Sequence, residues 1–143
     1  MASTAIQQRI MPSDHPWDWS IPVPFSQGWR IGDTVYIGGQ ISADRNGGAT
    51  CVGDIEGQTR NVFESIGRVL RDAGARWGDL VKLNTFYVYD GPDEGALEFW
   101  EKMTRVRMEY LEHPGPVGTA VCVPRLGAKD LLIEVEAVAV IQD

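Results

Sequence analysis

Cysteine and histidine are scarce in this chain, and its basic residues are outnumbered. Only Cys51 and Cys122 are present, with no CxxC pair, and the two histidines, His15 and His113, stand far apart. Two thiols make no disulfide framework in a chain with this much apolar material, and so thin a supply of soft ligands argues against a metal site. There are 13 Lys and Arg against 20 Asp and Glu, a net charge of −7. Nucleic-acid and membrane-surface binding both draw on basic patches, so neither partner is expected. No apolar run approaches the roughly 18 residues of a membrane span, and no positively charged start leads into an apolar run as in a secretory leader. The expectation is a cytoplasmic protein with reduced thiols.

What the sequence does hold is core. Its 143 residues are 43% hydrophobic and 23% charged, enough for one ordinary globular domain and too few for two sizeable ones. Residues 1–21 are expected to form an extended N-terminal segment and 22–143 the domain. Pro12, Pro16, Pro22 and Pro24 alternate with Trp17 and Trp19, and proline blocks both helix and ladder pairing. Two tryptophans need cover. They either pack on the domain or a neighbouring subunit, or cap a ligand.

Residues 30–40 read as a hairpin turning at Gly32-Asp33 and ending in Gly38-Gly39, where missing side chains permit close approach by a ligand or another chain. A first helix is expected between an Asp54 N-cap and a Gly74 stop, with Ile55, Val62, Phe63, Ile66, Val69, Leu70 and Ala73 on its apolar face. Residues 80–89 are rich in strand formers. Asp90-Gly91-Pro92 opens a second helix, whose expected stripe is Leu97, Trp100, Met103, Val106, Tyr110 and Leu111. Two strands, 118–124 and 131–141, complete the order β-β-α-β-α-β-β. This is the pattern of a two-layer α+β domain, one mixed sheet with two helices on one face.

The last strand carries the chemistry. Its odd positions from Ile133 to Ile141 are all apolar, whereas Glu134 and Glu136 share the other face about 7 Å apart. Buried carboxylates without partners cost several kcal/mol, on the order of the desolvation of an ion. The pair therefore meets solvent, a cation, or a polar cleft between subunits where burial turns a carboxylate into an acid or base. In the preceding strand the small Gly118, Ala120 and Cys122 share a face, leaving room for another subunit or a ligand. Cys122 reads as a packed thiol or as a reactive one.

The motifs resemble the RidA/YjgF family. Pro24-Phe25-Ser26-Gln27-Gly28 followed by Gly38-Gly39-Gln40-Ile41 is similar to P-Y-S-Q … S-G-Q-I. Gly53-Asp54-Ile55-Glu56-Gly57-Gln58-Thr59-Arg60 is similar to G-D-I-x-x-Q-T-R/K, and Leu80-Val81-Lys82 to the V-V-K strand. Val123-Pro124-Arg125-Leu126 and Ile133-Glu134-Val135-Glu136-Ala137 resemble V-A-R-L and I-E-I-E-A. The resemblance implies a chorismate-mutase-like fold and a homotrimer with small-molecule pockets between subunits. It also implies hydrolysis of enamines or imines to carbonyl compounds and ammonia without metal or organic cofactor. In such sites an arginine holds the substrate carboxylate, and a glutamate with bound water moves protons. Carried onto this chain, the glutamate is Glu134 and the pocket residues are Phe25, Gly38, Gly118, Thr119 and Cys122. The chain departs from the pattern at several of them. The family arginine falls on Gly118, the pocket tyrosine on Phe25, the serine of S-G-Q on Gly38, and a cysteine found in some relatives on Ala120. Glycine cannot imitate a bidentate guanidinium, so the pocket is expected to be more apolar. Arg125 is expected to be structural, and Arg105 and Arg107 on the second helix are the other candidate donors. A non-catalytic metabolite-binding or regulatory trimer is the alternative, and the acidic chain argues against a ribonuclease.

Overall fold

A computed structural model describes residues 4–143. Eight main elements follow in chain order: β1 (Gln7–Ile10), β2 (Gly28–Ile31), β3 (Thr34–Ile41), α1 (Ile55–Ala73), β4 (Leu80–Tyr87), α2 (Ala96–Met108), β5 (Val117–Cys122) and β6 (Ile133–Val140). The strands form one sheet in the order β1-β2-β3-β6-β4-β5. Only β4 and β5 pair in parallel, which the α2 crossover between them permits. Two helices cover one face, so the expected two-layer α+β architecture is the observed one.

The N-terminal segment contributes more than expected. Gln7–Ile10 pairs antiparallel with β2, adding a strand to the expected order and making it β-β-β-α-β-α-β-β. Three of its four residues are polar and exposed, so no alternation advertises the strand. Ile10 alone reaches the core, at 1% exposure.

Helix α1 forms as its sequence dictates. The Asp54 carboxylate accepts a hydrogen bond from the Gly57 N–H, and Gly74 ends the helix in the left-handed region at φ 77°. All seven residues of the expected apolar face are buried, each contributing at most about 1.5–3 kcal/mol of transfer energy. Helix α2 departs from expectation. A single 3-10 turn at Asp93–Gly95 precedes it, and its inward positions are Phe99, Met103 and Val106. Phe99 packs on Tyr87 and Tyr89, at ring distances of 6.0 and 5.0 Å. Leu97 and Trp100, expected in the stripe, are 65% and 46% exposed. The helix meets the sheet on a face rotated from the one its larger apolar residues mark.

Strand β6 is central, between β3 and β4, and alternates as expected: Ile133, Val135, Ala137 and Ala139 are buried beneath the helices. Its register with β3 jumps from Ile37↔Ala137 to Gln40↔Val135. Gly38 and Gly39 thus stand opposite Glu136 alone, a bulge that reverses which residues of β3 face the core. Ile37 faces the helices before it and Gln40 after it, both buried. Ile41 is thereby paired with Glu134 on the face that no helix covers.

Candidate functional site

Three aromatic rings and the Glu134 carboxylate face a cavity of about 600 Å³, whose rim also carries Asp18, Asp44 and Arg45. Phe25 stacks on Trp17, centroids 5.0 Å apart, and meets Trp19 edge-on at 5.2 Å. The two tryptophans are 6.0 Å apart and also edge-to-face. They pack on Phe25 of the domain, as one of the two readings expected, and also wall the cavity.

Polar contacts hold this wall in place. Arg9 on β1 donates to Ser26 Oγ at 2.8 Å and to the Phe25 carbonyl. The buried Gln27 amide donates to the His15 carbonyl at 3.1 Å. Asp18 and Arg45 form an ion pair of 2.6 Å, and the Asp18 N–H donates to the Arg45 carbonyl at 2.6 Å. That pair fastens the tryptophan segment to the loop after β3. Both side chains are exposed, so the fastening is geometric more than energetic.

Glu134 enters from β6 on the opposite side. Its carboxylate lies against Gly39, where a β-carbon would overlap Oε1. Among the described residues it has no cationic partner. Burial, and secondarily Glu136, raise its carboxyl above the ordinary value. The neighbouring glutamate is placed differently: Glu136 is exposed and accepts from the Asn84 side-chain amide at 3.1 Å. Glu134 is thus a half-buried carboxyl that holds a proton more readily than usual, beside an aromatic cavity. Such a group can give a proton to a basic nitrogen or orient a water.

The position of Glu134 is set from α1. The buried Gln58 amide donates to the Asp130 carbonyl at 2.8 Å and accepts from the Leu132 N–H at 2.8 Å, clamping the entry to β6. This gives the Q of the G-D-I-x-x-Q-T stretch a physical role.

The other expected site residues fall elsewhere within one chain. Gly38 lies in the bulge and borders a separate cavity of about 320 Å³ with Tyr36, Lys82 and Glu136. Thr119 pairs with Asn84 and shares the uncovered face with Glu134, at the far edge of the sheet. Gly118 and Cys122 have the parity of Ala120, which faces the helices. A single subunit therefore cannot bring them to Glu134. A β-carbon at Gly118 would also overlap the Leu83 carbonyl oxygen, so this strand has no place for the arginine of the pattern. Arg125 borders a cavity of about 290 Å³ with Glu134 and Glu136, but its Nε bonds to the Leu126 carbonyl at 3.3 Å. Sequence reasoning missed that the close approach at Gly39 is made by Glu134, where a ligand or another chain was expected, and it missed the Asp18–Arg45 fastening. The doubled glycine opposite an acidic strand was the signal for the first; nothing local marks the second.

Known proteins resemble this chain over most of its length. The model of the family described as Endoribonuclease L-PSP matches residues 20–141. A RutC family protein of Pyrococcus abyssi is 40% identical over 116 residues, 81% of this chain and 85% of the relative. A 2-iminobutanoate/2-iminopropanoate deaminase of Salmonella typhimurium is 34% identical over 119 residues, 82% of this chain and 87% of the relative. The crystal structure of RidA from an Antarctic Psychrobacter superposes with a TM-score of 0.75 at 27% identity, covering 94% of this chain and 99% of its own. With the family model matching residues 20–141, a relative 40% identical over most of both chains and a shared fold, the chain belongs to the RidA/YjgF family.

Proposed function

We propose that this protein is an enamine/imine deaminase that works as a homotrimer, with Glu134 as the proton-transfer group. The observation that carries the reading is Glu134 itself: a carboxyl without a cationic partner, raised by burial, beside a cavity walled by Phe25, Trp17 and Trp19. Water adds to the C=N carbon as the nitrogen accepts a proton, and the carbinolamine then collapses to a carbonyl and ammonia. One group that gives and takes back a proton serves both steps. An enamine enters the same path after protonation at carbon. Relatives bearing deaminase names support the chemistry.

The trimer reading is supported by β5. All six of its residues are exposed in one subunit, and it forms an open sheet edge. Uncovered edges invite pairing or packing. A neighbour's β5 would carry Gly118, Thr119 and Cys122 to the Glu134 cavity; in their own chain Gly118 and Cys122 lie on the other side of the sheet and Thr119 at its far edge. The work expected of Glu134 is tested by ammonia release from imines generated in situ from amino acids. Glu134→Gln is expected to lower the rate roughly 100-fold or more, the usual worth of a general acid–base. Wild-type protein that releases no ammonia above buffer overturns the catalytic reading. Binding without turnover would then favour a metabolite-binding trimer, for which the loss of the strand arginine at Gly118 already speaks.

A further inference from the structure

The cavity beside Glu134 is large, aromatic and acidic. At about 600 Å³ it has the size of sites that hold drug-sized ligands, well beyond what a small imino acid fills. Trp17, Trp19 and Phe25 wall it, and Ile41, Ala43 and Leu131 add apolar surface. Its charged side chains are Asp18, Asp44, Arg45 and Glu134, three carboxylates against one guanidinium. That guanidinium is already engaged, since Arg45 Nε lies 2.6 Å from Asp18 Oδ2. Among the described residues lining this cavity, no free cation is left to receive a carboxylate. Gly118, Thr119 and Cys122, which a neighbour's β5 would bring, are uncharged. Arg125 borders the adjoining cavity together with Glu134 and Glu136, so two carboxylates outweigh it there. Of the arginines on α2, Arg107 lines a groove with Ala120 on the helix side of the sheet, and Arg105 bonds Glu101 at 2.8 Å.

An anion entering this cavity loses hydration and gains no partner. A cation meets carboxylates and the electron-rich faces of aromatic rings. Flat rings gain further by continuing the stacked and edge-on packing of Trp17, Trp19 and Phe25. We propose that the preferred substrate of this cavity is an imine with an aromatic side chain and no carboxylate, bound in its protonated form. Oxidation of an arylalkyl amine is the class of reaction that supplies it. The inference rests on the deaminase reading and narrows its substrate. A cation beside Glu134 favours the ionised carboxylate, which then serves as the base. Water oxygen adds to the iminium carbon while Glu134 takes the water proton, and the C=N pair moves onto nitrogen. Glu134 passes that proton to the nitrogen. The C–N pair leaves with ammonia as the hydroxyl proton returns to Glu134, which yields an aldehyde and, after the last proton transfer, ammonium.

Two imines that differ only in the carboxylate test this directly. A flavin amine oxidase makes one in situ from 2-phenylethylamine, and an amino-acid oxidase makes the other from phenylalanine. With the intact protein, kcat/KM for ammonia release is expected to be about tenfold or more higher for the amine-derived imine. Asp18→Asn frees the Arg45 guanidinium and should shift that ratio several-fold toward the phenylalanine imine. Trp19→Ala should lower the rate with the phenylethylamine imine relative to the ethylamine imine about fivefold, a ratio that a general loss of structure does not move. Calorimetry reads recognition without chemistry: 2-phenylethylammonium is expected to bind about tenfold or more tighter than 3-phenylpropanoate, which has the same ring and the opposite charge. Equal rates for the two imines, a preference for the phenylalanine imine, or tighter binding of the acid overturns the inference. So do ratios left unchanged by both variants. Ammonia released from the phenylalanine imine alone would keep the deaminase reading and sink this one. Selective 2-phenylethylammonium binding with no release from either imine would do the reverse.

Discussion

Gly38 and Gly39 share one bulge but face different neighbours. A β-carbon at Gly38 would sit 3.4 Å from the Gln27 carbonyl oxygen, an ordinary contact. At Gly39 it would occupy the space of the Glu134 carboxylate. Alanine at 39 therefore displaces the flexible end of a half-exposed side chain, which costs the fold little and moves the reacting group. Gly39→Ala is expected to lower ammonia release by ~10- to 100-fold, since small displacements of a reacting group have effects of that size. Its stability should change by less than about 1 kcal/mol. Gly38→Ala, the paired control, should keep near wild-type activity. Parallel rate and thermal-unfolding measurements on both variants decide it: equal losses would mean that the bulge, and not the room beside Glu134, is what the glycines provide.

Among the elements, α1 and β6 were the most legible in the sequence, and they are also the two joined by Gln58. The Asp54 and Gly74 caps, the seven-residue apolar face and the alternation of β6 are strong local signals, and each is observed. Strand β1 was illegible because its pairing is a backbone matter and only Ile10 has an apolar side chain in the core. Helix α2 was half legible. Its existence follows from the spacing, but Phe99 points inward where Leu97 and Trp100 were expected. Which face packs depends on the angle at which the helix leaves the turn at Asp93–Gly95, a matter of tertiary fit. For the site, Phe25 and Glu134 were readable one by one, whereas the opposite sheet sides of Gly118 and Glu134 appear only once strands are paired. The Gln58 clamp gives an element-scale prediction. Removing it orphans the Leu132 N–H and the Asp130 carbonyl, both beside a buried amide with 0% exposure. Gln58→Ala is expected to cost about 2–4 kcal/mol, read as a lower urea midpoint with unchanged slope. A change below about 0.5 kcal/mol would show that the two backbone groups find other partners.

At the scale of the whole molecule, the sheet has one dressed face and one bare one. Tyr36 is 53% exposed on the bare face, and Val117 is 70% exposed on β5. Leu97 and Trp100 on α2 are uncovered as well. Large apolar side chains exposed on a bare sheet face and its open edge fit an interaction site, and closed symmetry is the usual way to cover one. Tyr36 is a good place to test the proposed trimer, because it pairs with Val138, four residues along β6 from Glu134 and so about 13 Å away. In a lone subunit Tyr36→Asp replaces one wetted side chain with another, and the far-UV spectrum should not change. In a trimer that covers this face it buries an unpaired charge, a penalty of several kcal/mol at each copy. Sedimentation is expected to give three chain masses for wild type and the single 15.8 kDa chain for Tyr36→Asp. Ammonia release should fall together with assembly, because Glu134 then loses the neighbour's β5. A monomeric wild type, or a Tyr36→Asp protein that stays assembled, would mean that this face is not the one that closes the ring. If Tyr36→Asp dissociates yet keeps full activity, one chain is sufficient for the chemistry, and the cavity of Phe25, Trp17, Trp19 and Glu134 is the complete site.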